Sequence, residues 1–162
     1  IKKLKNNHGV YLVPAFTGLG TPYWNVKSRG VLSGLTRDTG ISEIVRATVE
    51  SVAYQTHDLF EAMKNDGLKP KIIKIDGGMV KNNWFSQFLA DIVNIKVLRP
   101  AVDETTALGA AFMAGLQIGI YKSLKDISKN WNVDRTFHPK MKLSNRKKLI
   151  TGWDKAIKKT LS

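Results

Sequence analysis

Lys71-Ile72-Ile73-Lys74-Ile75-Asp76-Gly77-Gly78-Met79-Val80-Lys81-Asn82 passes from a strand through a diglycine turn to the start of a helix. The β-branched Ile72, Ile73 and Ile75 suit a buried strand running to Asp76. Gly77 and Gly78 carry no side chains and let the backbone approach a neighbour closely. Asn82 or Asn83 then caps a helix that carries Trp84, Phe85, Phe88, Leu89 and Ile92. In open α/β folds ligands lie beyond the carboxyl ends of strands, so a nucleotide would be sought at this turn. It would meet bare peptide and a side-chain amide there. The same residues also suit an ordinary tight turn with no ligand.

Upstream, Val10 to Val13 reads as a short strand ended by Pro14, preceded by eight polar and basic residues expected to be frayed or truncated. Ala15 to Trp24 holds glycines, a proline and aromatics without period, which makes it an ordered loop, and one so apolar should pack on something. Gly30 to Leu35 is a second strand and Arg37 to Gly40 a turn. Ser42 can cap a long helix with Glu43 in its first turn. Ile44, Val45, Thr48, Val49, Val52, Ala53, Thr56, Leu59, Phe60 and Met63 form one apolar stripe along it, expected to face the core. Gly67 ends the helix and Pro70 prevents its restart.

Downstream, a strand from Ile95 to Leu98 reaches Pro100, and a helix from Glu104 to Gly119 is rich in small residues that let another element come close. Leu124 to Ile127 is a short helix, and the chain runs as a loop through Phe137-His138-Pro139. In the terminal segment Leu143, Leu149, Ile150, Trp153, Ile157 and Leu161 recur at helical spacing beneath a basic face. Strands alternating with helices indicate an α/β domain.

Composition narrows the function. The 162 residues, 43% of them hydrophobic, are enough for one sizeable core. The absence of cysteine excludes disulfides, thiolate metal sites and cysteine nucleophiles. No apolar signal segment follows Ile1, and the absent initiator methionine suggests a fragment or a processed chain. The charge-free run from Thr105 to Tyr121 is shorter than the roughly 20 apolar residues a membrane span needs, so it is expected to be a buried helix. The net charge of +13 is concentrated near the C-terminus. No aromatic platform interleaves with the lysines, so the basic helix face is read as solvated surface.

Catalytic signatures are thin. His8, His57 and His138 have no metal-ligand spacing among them. There is no Gly-x-Ser-x-Gly elbow and no phosphate-binding P-loop. Asp103 and Glu104 are explained by the start of a helix, which favours negative charge. Glu50 and Asp58, beside Arg46 and His57, read as ordinary surface contacts. The residues themselves lead to an α/β domain with a candidate ligand turn at Gly77-Gly78.

Pro14-Ala15-Phe16-Thr17-Gly18-Leu19-Gly20-Thr21-Pro22-Tyr23-Trp24 resembles the distinctive loop of glycerol kinases. Gly30 to Leu35, with Glu43-Ile44 and Ala47 to Glu50, is similar to a signature of the FGGY carbohydrate kinases, and Asp76-Gly77-Gly78, Asn82 and Thr106 to Ala111 follow in that family's order. The resemblance implies an actin-like ATPase (ribonuclease H-like) α/β fold. It makes the chain an incomplete second domain of a two-domain FGGY kinase, with residues 1–9 a polar stub and residues 10–162 the domain. By motif position, the Gly78 backbone would approach the nucleotide and the Asn82 amide would hydrogen-bond it, while Gly77 serves the turn.

The resemblance further implies a cytoplasmic, homo-oligomeric enzyme that phosphorylates glycerol with ATP and Mg, without nucleic acid or integral membrane contact. The family's catalytic aspartate, glycerol-binding residues, phosphate loops and metal ligands belong to segments that precede residue 1. The chain alone is therefore expected not to catalyse, and its strand edges to lack their usual cover. Asn25 stands where the family usually has aspartate. Two alternatives stay open: a kinase for another polyol or sugar, and a basic module binding nucleic acid or anionic lipid.

Overall fold

The structure, a computed structural model, describes residues 4–102 and 104–162. In chain order the elements are β1 (Tyr11–Val13), β2 (Val31–Ser33), α1 (Ile41–Asn65), β3 (Ile72–Lys74), a 3-10 turn (Gly78–Lys81), α2 (Asn83–Val93), β4 (Lys96–Pro100), α3 (Thr105–Gln117), α4 (Leu124–Ser128), β5 (Val133–Phe137) and α5 (Leu143–Leu161). β1 and β2 form an antiparallel pair with Tyr11 opposite Ser33. The other sheet has the order β3-β4-β5, β3 and β4 running parallel with Ile73 opposite Val97. β5 returns antiparallel, Phe137 opposite Val97.

β5 occupies part of what the sequence reads as a loop. Its residues Val133-Asp134-Arg135-Thr136-Phe137 are exposed apart from Phe137, so no apolar alternation announces the strand. The backbone partner offered by β4 decides it.

The core lies where α1, α2 and α5 meet β1. Tyr54 stands at its centre, stacked on Trp153 at 5.3 Å between ring centroids and 20° between planes, and edge-on to Phe88 at 5.7 Å. Such pairs contribute about 0.5–1.5 kcal/mol beyond their area. Gly152 is required on α5 because a Cβ there would overlap the Tyr11 hydroxyl.

α1 departs from its expected orientation. Its buried residues include Glu43, Arg46, Glu50, Ser51, Tyr54, His57 and Asp58, while Ile41, Ile44, Val45 and Leu59 are exposed. The apolar stripe predicted to face the core is only partly covered: Ala53 is buried and Val49 and Val52 pack against the core, but Ile44, Val45 and Leu59 are exposed, because most of what packs on α1 in this chain sits on its polar side. Nor are Glu50 and Asp58 surface residues. Glu50 is fully buried, accepting from Arg46 Nε at 2.6 Å and from the Tyr54 hydroxyl at 3.0 Å. Asp58 Oδ2 accepts from Tyr23 Oη at 2.9 Å and from Trp153 Nε1 at 2.7 Å. The helix is capped by Gly40, not Ser42; Glu43 Oε2 reaches back to the Gly40 amide at 3.0 Å.

Three further expectations change. The helix over Thr105–Gln117 is not buried: Gly115 is its one buried residue among those described. In the apolar loop Ala15 and Leu19 pack inside, but Phe16 and Trp24 are 73% and 76% exposed. Before β1, Asn7 is buried and the Leu4 carbonyl accepts from Arg46, so this part of the opening segment is packed on α1. Asp103 and Ile1 to Lys3 lie outside the described residues.

Candidate functional site

The diglycine turn lies at the carboxyl end of β3. The Ile75 amide still donates to Leu98 O at 3.0 Å, which carries the parallel pairing one residue past β3 before the chain leaves the sheet at Asp76. Gly77 has φ +88°, a backbone conformation that favours glycine. The 3-10 turn begins at Gly78 and closes with Asn82 N donating to Met79 O at 3.1 Å.

Gly78 has neither of the usual internal reasons to be glycine. Its φ is not positive, and a Cβ built on it would meet nothing within 4 Å. By contrast, a Cβ at Gly34 would run into the Gly9 carbonyl. The open face of the turn can accept a group brought against bare backbone.

Asn82 is the cap of α2. Its Oδ1 accepts from the Trp84 amide at 3.0 Å and the Phe85 amide at 3.4 Å. That use of Oδ1 fixes the amide plane and leaves Nδ2 as a donor without a protein acceptor among the described residues. Whatever Asn82 recognises must present an acceptor, such as a ring nitrogen or a hydroxyl oxygen.

The turn is held from beneath by residues that the sequence reading did not single out. Val80 is buried, and its carbonyl accepts both from Ser86 Oγ at 3.0 Å and from Arg99 Nη1 at 2.9 Å. Arg99 Nη1 also reaches Asn83 Oδ1 at 2.9 Å, and its Nη2 pairs with Asp134 at 2.6 Å. One guanidinium therefore joins the turn, the first residue of α2 and β5, a task suited to its rigid fork of donors. Thr105 Oγ1 donates to Asp76 Oδ2 and fastens the start of α3 beside the turn. An arginine following a short apolar strand gives no local signal of this role.

Other candidate groups do not converge on the turn. His57 is buried on α1, where loss of solvent holds its imidazole below the ordinary value. His8 Nδ1 faces Glu43 Oε1 at 3.2 Å, and the His138 carbonyl accepts from Gln87. Burial pushes the Glu50 carboxyl up, opposed by Arg46 and Tyr54; it likewise raises Asp58 against its bonds from Trp153 and Tyr23. Both carboxylates are bonded inward and serve the core. Among the described residues no three His, Asp or Glu side chains could hold a metal ion. No helix among them is long and apolar enough to cross a membrane. A groove of about 1000 Å³ lies elsewhere, between residues 5–9, α2 and α5, and none of Asp76 to Asn82 lines it.

Comparison with known proteins bears on these features together. A family model described as the FGGY family of carbohydrate kinases, C-terminal domain, matches residues 2–118. Glycerol kinase 1 of Pseudomonas aeruginosa is 55% identical over 97% of this chain, which covers 32% of that relative. The glycerol kinase of Caldanaerobacter subterraneus is 52% identical over 98% of this chain and again 32% of the relative. Among solved structures, Plasmodium falciparum glycerol kinase with ADP aligns with a TM-score of 0.87 and 40% identity, over 99% of this chain and 32% of that one. A xylulose kinase from Lactobacillus acidophilus aligns at 0.73 with 23% identity, over 90% of this chain and 29% of that one, a likeness of fold alone.

The chain thus spans about a third of the length of the relatives it matches. Its fold is the actin-like α/β fold of these kinases, as the motifs imply. With the family model covering residues 2–118 and these relatives aligned along nearly all of its length, the chain belongs to the FGGY family of carbohydrate kinases and matches its C-terminal domain.

Proposed function

We propose that this chain is the C-terminal part of an ATP-dependent glycerol kinase and supplies the adenosine side of its nucleotide site. The observation that carries the reading is Gly78: nothing inside the chain asks for glycine there, yet the turn is held rigidly by Arg99 and Ser86 with its face open. Beside it Asn82 offers a single oriented donor. These features suit a nucleoside laid against peptide backbone: an exposed, side-chain-free turn and one polar group that fixes orientation. The ADP named in the Plasmodium falciparum structure supports a nucleotide as the ligand.

ATP supplies the phosphoryl group when bound. The residues of this chain bind and orient: Gly77 shapes the turn, Gly78 gives close approach and Asn82 Nδ2 donates to an acceptor on the base or ribose. Phosphoryl transfer also needs charge stabilisation at the γ-phosphate. The described residues do not fit a Mg site, and the carboxylate at the turn, Asp76, is engaged by Thr105 Oγ1, so the chain is assigned binding without catalysis. Glycerol as acceptor is supported by the names of the relatives; a homo-oligomeric enzyme and a cytoplasmic location come from the family resemblance alone and belong to this proposal. Residues 10–162 are taken as the domain.

Two substitutions at one position test the site in the whole kinase. Asn82→Asp keeps a capping oxygen but loses the donor, and Asn82→Ala loses both. Both should raise the KM for ATP, by roughly 3- to 10-fold for one lost hydrogen bond, with the KM for glycerol unchanged. An ATP KM that stays at the wild-type value in Asn82→Asp removes the assignment.

A further inference from the structure

Arg99 stands near the end of β4, one residue past Leu98, whose partner across the sheet is Lys74 of β3. Its side chain crosses beneath the turn that leaves β3 and is held there on several sides. Nε and Nη2 meet Asp134 Oδ2 at 2.7 and 2.6 Å, and Cζ lies 5.7 Å from the ring centroid of the buried Phe137. Nη1 remains to donate to the Val80 carbonyl and to Asn83 Oδ1, both at 2.9 Å. The side chain is 15% exposed, so these bonds are made largely away from water.

The sheet does not ask for arginine at this position. The β3–β4 pairing is made by backbone, with Ile73 opposite Val97. An ion pair to the exposed Asp134 adds little to stability, and a lysine would make it as well. What needs the planar fork is the simultaneous reach to Asp134, Asn83 and the Val80 carbonyl. The turn depends on that reach. It is a single 3-10 turn, Gly78–Lys81, closed by Val80 N donating to Gly77 O at 3.2 Å and Asn82 N donating to Met79 O at 3.1 Å. A run this short is held poorly by its own bonds, and the glycines at its start widen the conformations open to it. From beneath, Ser86 Oγ and Arg99 fix the Val80 carbonyl, and Arg99 fixes Asn83 Oδ1. Asn82 lies between these two anchors.

We propose that Arg99 is a positioning residue for the nucleotide, acting through the Val80 carbonyl and Asn83 to fix the turn on which the Gly78 backbone and the Asn82 amide are presented. This rests on the nucleotide assignment and adds to it the residue that sets how tightly the site holds ATP. A recognition group displaced by about 1 Å loses much of its effect, so a loosened turn weakens the hold on ATP. Phosphoryl transfer itself depends on charge stabilisation at the γ-phosphate and is spared. The role is one of geometry. Asp134 already neutralises the guanidinium, so Arg99 does not act as a free positive charge toward phosphates.

Amide exchange and steady-state kinetics on the whole kinase test this. Arg99→Gln should speed exchange at the Val80 and Asn82 amides about 10-fold through local opening of the turn, with the β1 amides of Tyr11 to Val13 unchanged. It should raise the KM for ATP roughly 3- to 10-fold while kcat and the KM for glycerol hold, a split that mere loss of folded protein does not produce. Arg99→Lys keeps the charge without the fork and should recover less than half of that loss. Arg135→Gln removes an exposed arginine over the same Phe137 ring and should leave the KM for ATP alone. Unchanged exchange at the turn overturns the proposal. So does full recovery by lysine, which would make charge the cause in place of positioning. A KM for ATP that stays at wild type in Arg99→Gln while Asn82→Asp raises it overturns this inference and leaves the nucleotide assignment standing; a KM that neither variant moves overturns both.

Discussion

The two sides of α1 make opposite choices. One carries Arg46, Glu50, Tyr54 and Asp58 and is buried against β1, α2 and α5; the other carries Ile41, Ile44, Val45 and Leu59 and is largely exposed. A polar face inside and an apolar face outside reverse the usual rule for a helix on a domain surface. The reversal has a physical cause on each side. The buried polar groups are paired almost completely, through Arg46–Glu50, Tyr54–Glu50, Tyr23–Asp58 and Trp153–Asp58. The exposed apolar groups lie on the opposite side of the helix, away from β1 and α2.

The largest expected effect lies on the polar side. Glu50→Ala leaves the Arg46 guanidinium buried without its carboxylate, and should cost about 3–5 kcal/mol, read as a fall in the urea midpoint. A loss as small as that of a surface mutation would mean that this face is not a sealed core. Trp153→Phe keeps most of the ring but removes a donor from the buried Asp58 carboxylate. It should cost about 1–3 kcal/mol on the same measurement.

The proton linkage of His57 gives a further measure of that face. Its folded pKa lies below the ordinary 6.5 because burial disfavours the cation, so the unfolded chain binds the proton more readily. The neutral ring's contribution is complete above pH 6.5 and is lost as pH falls toward the depressed folded value, at up to about 1.4 kcal/mol per pH unit. His57→Gln should flatten the stability profile in that window. An unchanged slope would show that His57 protonates as freely in the folded chain as in the unfolded one.

At the turn, Asn82→Ala should cost about 1 kcal/mol by removing the cap of α2, and Asn82→Asp much less. Equal losses would show that the cap is not made. On the apolar side, Val45→Ser should change the stability of this chain by no more than about 0.5 kcal/mol. A large effect in the isolated chain would erase the contrast between the faces.

Much of the fold was legible in residues. The β-branched run Ile72 to Ile75, the pair Gly77-Gly78 and Asn82 foretold strand, turn and cap in the right order, because each residue type limits its own backbone or its nearest hydrogen bonds, although the strand expected to be buried is not: Ile72 and Lys74 are exposed and Ile73 is half-buried. The stop at Gly67 and the apolar seam of α5 through Trp153 and Ile157 were readable for the same reason. β5 was not, since an exposed strand such as Val133–Phe137 takes its pairing from β4 and carries no apolar signature. The depth of Glu50 and Asp58 was hidden too, because a carboxylate in mid-helix looks alike whether water or a tryptophan N–H lies beside it.

By itself the sequence determined the local backbone: where the chain turns at Gly77, where α2 starts and which residues form the apolar stripe of α1. Only the tertiary structure decided which of these surfaces are covered. It placed Arg99 beneath the turn, turned the polar face of α1 inward and left β3 as an open edge, because burial and pairing depend on what stands across from a residue in space, a relation that local sequence does not encode.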